Sequence, residues 1–264
     1  MHTSVDAYRI TSEPYYAAVG DECALFEAAY LRRLPVLLKG PTGCGKTRFI
    51  EHMAWRLRRP LITVACNDDT SAADLTGRWL LDADGTRWQD GPLTLAARAG
   101  AICYLDELVE ARADTTVVMH PLTDTRRMLP LDKRNEIVHA HVNFLLVASY
   151  NPEAYRTLKA ATRQRFCALD FQYPPAETEV TIVAHESGVS TQMAASLVSL
   201  GVRTRRLQHH GLDQGASTRM LVHAGLLISA GVRPIAACRI AVAAPLSDDP
   251  EVMVALLATV EAVF

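Results

Sequence analysis

The octapeptide Gly40-Pro41-Thr42-Gly43-Cys44-Gly45-Lys46-Thr47 satisfies the pattern GxxxxGK[ST] at every fixed position. Glycines at these spacings let the backbone close round a polyphosphate, and a following helix start points free N–H groups and a positive dipole end at the anion. Lys46 would reach the outer phosphates, and the Thr47 hydroxyl would ligand Mg²⁺. Arg48 follows directly and completes a candidate nucleotide-binding set. A glycine turn joining a strand to a helix is the plainer alternative.

Downstream, the apolar run Ala101-Ile-Cys-Tyr-Leu-Asp-Glu107 ends in two adjacent acids. On a parallel strand beside the phosphate-loop strand, Asp106 would enter the Mg²⁺ shell. Glu107, just beyond it, would polarise an attacking water. Asn151 closes the run Ser149-Tyr150-Asn151-Pro152; it can hydrogen-bond the water or the terminal phosphate, and it equally suits an Asn-Pro turn. In Thr162-Arg163-Gln164-Arg165-Phe166, an arginine would neutralise charge on a transferred phosphoryl group, particularly that of a neighbouring subunit's nucleotide. Arg219 stands just inside a helix start, where a cap with a surface charge is the alternative.

Such chemistry needs a rigid frame. Five apolar runs, Val36–Leu38, Leu61–Ala65, Ala101–Leu105, Phe144–Ser149 and Cys167–Phe171, are separated by helical or irregular stretches. That alternation predicts a parallel sheet covered on both faces. The first run feeds the phosphate loop, and a helix over Arg48–Leu57 leaves it. After Tyr173-Pro174-Pro175 only helical periodicity remains, over Ala176–Ser187, Thr191–Gln208, Thr218–Ala230, Pro234–Val242 and Pro250–Phe264. The expected class is α/β, a five-stranded parallel sheet flanked by helices, followed by an all-α domain. The Pro-Pro break divides the chain into residues 1–175 and 176–264. Two insertions have the form of hairpins, Arg78–Gln89 about Asp84-Gly85 and Arg127–His139 about Asp132–Asn135.

With 264 residues the chain can bury a substantial core. Its net charge of −2 gives no general attraction to nucleic acid or to an anionic membrane. Six cysteines lie scattered without a CxxC pair, which favours a reducing compartment over a disulfide framework. The N-terminal MHTSVDAYRI has no signal-peptide core, and the longest apolar tract, Val252–Phe264, is too short to span a bilayer. A cytoplasmic location is expected.

Together these residues resemble the AAA+ ATPases, and within them the MoxR group. The phosphate loop matches Walker A, and Tyr104-Leu-Asp-Glu107 matches Walker B. Asn151 falls at sensor 1, Arg165 at the arginine finger and Arg219 at sensor 2. The hairpins correspond to the helix-2 insert and the pre-sensor-1 insert. A narrower resemblance, carried by Leu38–Phe49, Leu61–Asn67, Trp88–Thr94 and His120–Asp124, is to the CbbQ/NirQ/NorQ branch, nearest its CbbQ type. It implies ATP with Mg²⁺, hydrolysis to ADP and phosphate, and a homo-oligomeric ring, a hexamer. It also implies a partner of the CbbO type with a von Willebrand factor A domain, and inhibited RuBisCO as client. Nitric oxide reductase or another metalloenzyme is the alternative client. The segment from Pro152 to Thr162 is shorter than the family pattern and lacks its Gly after Asn-Pro. Arg163 and Arg165 therefore both remain open as the finger.

Other residues invite weaker readings. His139 and His141 alternate as metal ligands can, yet no partner lies near in sequence. Cys44 sits among backbone donors that favour a thiolate, or is simply a small residue tolerated there. Trp79 and Trp88 would grip a client or merely pack. A nucleotide-dependent binding switch with little motor activity is a competing function. A nucleic-acid-directed motor is a third, disfavoured by charge and by the lack of a DNA-reading module.

Overall fold

The computed structural model of the chain describes residues 5–83, 85–208 and 212–264. Its elements run α1 (Glu22–Leu31), β1 (Val36–Lys39), α2 (Lys46–Arg56), β2 (Leu61–Ala65), α3 (Ala72–Thr76), β3 (Gly77–Asp82), β4 (Gly85–Asp90), α4 (Pro92–Ala99) and β5 (Ile102–Asp106). There follow α5 (Ala113–Val118), β6 (Met128–Leu131), β7 (Glu136–His139), β8 (Leu145–Tyr150), α6 (Ala160–Arg163) and β9 (Cys167–Asp170). The helices α7 (Ala176–Ser187), α8 (Thr191–Arg206), α9 (Thr218–Ser229), α10 (Pro234–Cys238), α11 (Ala244–Leu246) and α12 (Pro250–Glu261) complete the chain. The chain divides into two compact units. One holds residues 1–40 and 46–171; the other holds Gln172–Phe264 together with Pro41–Gly45.

The first unit is a five-stranded parallel sheet in the order β2-β5-β8-β1-β9. All six residues of β8, at its centre, are buried, as continuous apolar strands covered on both faces must be. Leu37, Ile62, Cys103, Leu105, Leu146 and Ala148 join Leu75, Leu93 and Leu122 in one core. Each such Leu or Ile contributes about 1.5–3 kcal/mol on burial. One expectation needs correction: β5 does not lie beside the phosphate-loop strand β1. Strand β8 stands between them, pairing Val147 with both Val36 and Tyr104.

Both hairpins form. Strands β3 and β4 pair antiparallel, as do β6 and β7, the latter turning through Asp132–Asn135 with Asn135 left-handed at φ 51°. The expected turn residue Asp84 lies outside the described residues. Helix α3 opens on a capping box, in which Ser71 and Asp74 satisfy each other's backbone N–H.

The helical unit packs α7, α8 and α9 round Val183, Leu197, Leu200, Leu221 and Ala224. Ser190, Ser217 and Asp249 cap α8, α9 and α12, each cap contributing about 1 kcal/mol. The expected helix Pro234–Val242 breaks into α10 and a π turn over Arg239–Ala243, just where Pro245 withdraws the donor that Ala241 would have used. No helix of the described residues is long and apolar enough to cross a membrane.

Candidate active site

Parallel strands point their C-terminal tips one way, so β1, β5 and β8 deliver their ends to one edge of the sheet. From β1 the chain enters the phosphate loop; Gly40 N–H continues the ladder to Tyr150 O at 3.3 Å. A Cβ on Gly40 would collide with the Phe171 carbonyl, so only glycine fits that exit. Gly43 and Gly45 have φ of 73° and 104°, left-handed conformations that side chains resist. Helix α2 begins at Lys46 itself, two residues earlier than expected, which places the loop's last amides at a helix N-terminus. The Lys46 ammonium is buried and donates to Gly40 O at 2.7 Å, across the loop its charge would share with phosphate.

At the tip of β5, Asp106 is held by two hydroxyls. Tyr104 Oη donates to Asp106 Oδ1 at 2.7 Å, and Ser149 Oγ donates to the same oxygen at 2.6 Å. Ser149 Oγ also accepts the Glu107 N–H at 3.1 Å, fixing a residue whose φ of 52° is unusual for a glutamate. Burial raises the Glu107 pKa above the ordinary carboxylate value. The Lys46 charge and the Asn151 N–H oppose that shift, and the Asp106 charge adds to it. Asn151 is itself buried, and its Oδ1 accepts the Glu153 N–H at 3.0 Å, a bond that belongs to the Asn-Pro turn.

The Thr47 side chain lies close enough to the Tyr104 hydroxyl to lower its pKa, as the least of several causes, which brings it into the neighbourhood of Asp106. A hydroxyl and a carboxylate are the hard oxygen donors that Mg²⁺ accepts alongside water and phosphate oxygens, so this pair fits that ion. Among the described residues there is no cluster of three or more His, Cys, Asp or Glu suited to a metal, and His139 and His141 are exposed. Beyond β2, Cys66 has its thiol pushed up to about 12, by burial first and then by Asp106 and Glu107.

Arg163 and Arg165 are not at this edge. Cys167 N–H bonds Pro35 O at 2.9 Å and Cys167 pairs with Val36, so both arginines precede the N-terminal ends of the strands. Four residues of β1 separate the two edges by about 13 Å. Both arginines are exposed, and Arg165 lies close enough to His120 and Asp124 to lower their pKa values, as a lesser cause than the burial of one and the Arg126 hydrogen bond of the other.

In the second unit, the loop segment Pro41–Gly45 meets the start of α9. A Cβ on Gly43 would come within 2.7 Å of Ser217 Oγ and 3.3 Å of Arg219 Cβ. Cys44 is buried, whereas Arg219 is exposed. Tyr173 Oη donates to Thr42 O at 3.1 Å, and the Arg205 guanidinium lies 3.9 Å from the centre of the Tyr173 ring. Arg205 forks onto the fully buried Glu179 at 2.8 and 2.6 Å, and its Nε donates to Ala216 O at 2.8 Å. Thr218 Oγ1 donates to the same carboxylate at 2.6 Å. That network holds the segment preceding Arg219.

Sequence reasoning did not single out Ser149, Tyr173, Glu179 or Arg205. Ser149 alone left a trace, as the hydroxyl two residues before Asn151 on a strand tip.

An AAA-domain model of the dynein-related subfamily matches residues 35–166, and a CbbQ/NirQ/NorQ C-terminal model matches residues 179–263. The chain is 61% identical over 260 residues to Protein CbbQ of Hydrogenophilus thermoluteolus, covering 97% of each. It is 55% identical to the Denitrification regulatory protein NirQ of Pseudomonas aeruginosa, over 94% of this chain and 96% of the other. The crystal structure of a putative ATPase from Cytophaga hutchinsonii shares the fold at a TM-score of 0.51 with 15% identity, over 91% of this chain and 81% of that one.

Proposed function

The chain belongs to the CbbQ/NirQ/NorQ family of AAA proteins, and from that membership we propose that it is a ring-forming ATPase that remodels a protein client. ATP binds with its phosphates against Gly40–Thr47, countered by Lys46. Thr47 and Asp106 hold Mg²⁺, whose charge offsets that gathering on the phosphate oxygens. Glu107 orients the attacking water and accepts its proton, and Asn151 holds that water or the terminal phosphate. Arg219 senses the nucleotide from the helical unit.

One observation carries this reading: Lys46, Asp106, Glu107 and Asn151 gather at one edge of the sheet, while Arg163 and Arg165 wait at the other. An arginine so placed is of use to a neighbouring copy's nucleotide, which supports a closed ring, a hexamer in this proposal. Its near-neutral charge argues against nucleic acid as the client. We place the protein in the cytoplasm.

The client we propose is inhibited RuBisCO, with a CbbO-type partner bearing a von Willebrand factor A domain supplying recognition. The identity to a protein named CbbQ supports this choice. The likeness to NirQ favours a second reading, activation of nitric oxide reductase or another metalloenzyme. The test incubates inhibited RuBisCO with both proteins and either ATP or a non-hydrolysable analogue. Reactivation with ATP alone is expected, and Lys46→Ala abolishes it. Equal reactivation with the analogue would leave a binding switch in place of a motor. Failure with RuBisCO and success with a nitric oxide reductase would move the protein to the second reading.

A further inference from the structure

Tyr104 is fully buried in the middle of the sheet, yet its hydroxyl reaches the acid at the strand tip. Side chains two apart on a strand share a face, so Tyr104 and Asp106 leave β5 in the same direction. The hydroxyl donates to Asp106 Oδ1 at 2.7 Å and stands 3.0 Å from Ser149 Oγ, which donates to the same carboxylate oxygen. A phenol has one proton and can also accept. Its proton goes to the carboxylate, the strongest acceptor present. These bonds turn the carboxylate: both hydroxyl donors fall on Oδ1, which leaves Oδ2 for a further ligand.

Resting on the magnesium–nucleotide reading above, we infer that Tyr104 is a positioning residue that sets the orientation of the magnesium ligand Asp106. Packing alone does not account for a hydroxyl here, because phenylalanine would fill the same buried volume without bonding that carboxylate.

The test compares full-length Tyr104→Phe with the unaltered chain, measuring binding of a fluorescent ADP in EDTA and across a magnesium titration. Affinity in EDTA stays at the unaltered level, while half-saturation by magnesium rises about tenfold, the loss of one hydrogen bond to a charged group. Magnesium half-saturation for ATP hydrolysis rises in parallel, by more than kcat at saturating metal falls. Ser149→Ala behaves differently: it also frees the Glu107 backbone, so kcat falls with it. A Tyr104→Phe chain that melts lower but keeps its magnesium half-saturation would reduce Tyr104 to packing and overturn the inference. Nucleotide binding indifferent to magnesium in the unaltered chain would instead sink the reading beneath it.

Discussion

The Ser149 hydroxyl accepts the Glu107 backbone N–H at 3.1 Å and donates to Asp106 Oδ1 at 2.6 Å. One strand tip thereby restrains both acids at the end of another. The Glu107 carboxylate is held where burial disfavours its charge, with Lys46 near enough to keep the ionised form accessible. A base raised in this way sits closer to working pH than an ordinary glutamate, which suits proton transfer.

That placement costs stability. The folded pKa of Glu107 is raised, so the protonated form is favoured by folding and the ionised form opposes it. The stabilising contribution is present at low pH and is lost as pH rises through the folded pKa. Glu107→Gln, permanently neutral, should therefore melt higher than the unaltered chain at pH 7–8. The gain should shrink as pH falls through the folded pKa and vanish below the ordinary value of 4.5. Thermal melting of both chains from pH 4 to pH 8 measures it. The same variant should bind ATP while hydrolysing it at least about a hundredfold more slowly. A lower melting point at neutral pH would show that Glu107 is structural.

Much of this was legible in the chain because its signals are local. The phosphate loop is set by eight consecutive residues, and the acids by a run ending at Glu107. Strand and helix spans likewise follow from neighbouring side chains. Strand order does not: parallel pairing joins residues far apart, and nothing in Ala101–Leu105 says that β8 will separate it from β1. For that reason Ser149, whose importance comes from bonding both Asp106 and the Glu107 backbone, showed in the sequence only as a hydroxyl two residues before Asn151. Glu179 and Arg205 escaped for a related reason. Charges on two helices read as solvated until the helices pack, and only packing buries them together.

Arg165 offers a test of assembly. If it serves a neighbour's nucleotide, Arg165→Ala and Lys46→Ala should each be inactive alone and regain activity when mixed, since some interfaces then carry both intact halves. Specific activity of the unaltered chain should rise with its concentration. Turnover measured against mixing ratio checks both points. Full activity in a strictly monomeric preparation would reject a shared site, and the same pattern with Arg163→Ala in place of Arg165→Ala would move the finger by two residues.

The Glu179–Arg205 pair should dominate the stability of the helical unit. Glu179 is fully buried and accepts three hydrogen bonds, two from Arg205 and one from Thr218. Removing one partner strands the other charge, at about 3–5 kcal/mol. Urea denaturation of Glu179→Ala should show a loss of that order, and Arg205→Lys, which cannot form the planar fork, a smaller one. A double replacement of both by methionine should cost less than Glu179→Ala. A loss below about 1 kcal/mol for Glu179→Ala would mean that the pair behaves like an exposed one.

The two hairpins are tied into one body, and the last prediction concerns that tie. Trp79 Nε1 donates to Lys133 O at 3.2 Å, joining β3 to the turn between β6 and β7. Arg98 on α4 bridges Asp90 at 3.0 Å and Glu136 at 2.5 Å, one carboxylate from each hairpin. Trp79 packs edge-on to Trp88 at 5.5 Å, and the Arg134 guanidinium lies 5.7 Å from the Trp88 ring centre. Contacts this numerous between exposed insertions let a displacement of one carry the other. If the hairpins pass work to the client, the double variant Trp79→Phe/Arg98→Gln should cut client reactivation several-fold. Basal ATP turnover should stay within about twofold, because neither residue touches the phosphate loop or the acids. Measuring turnover and RuBisCO reactivation on the same preparation separates the two effects. A parallel fall in both would show that the hairpins support the ATPase fold itself, and unchanged reactivation would exclude them from the transmission of work.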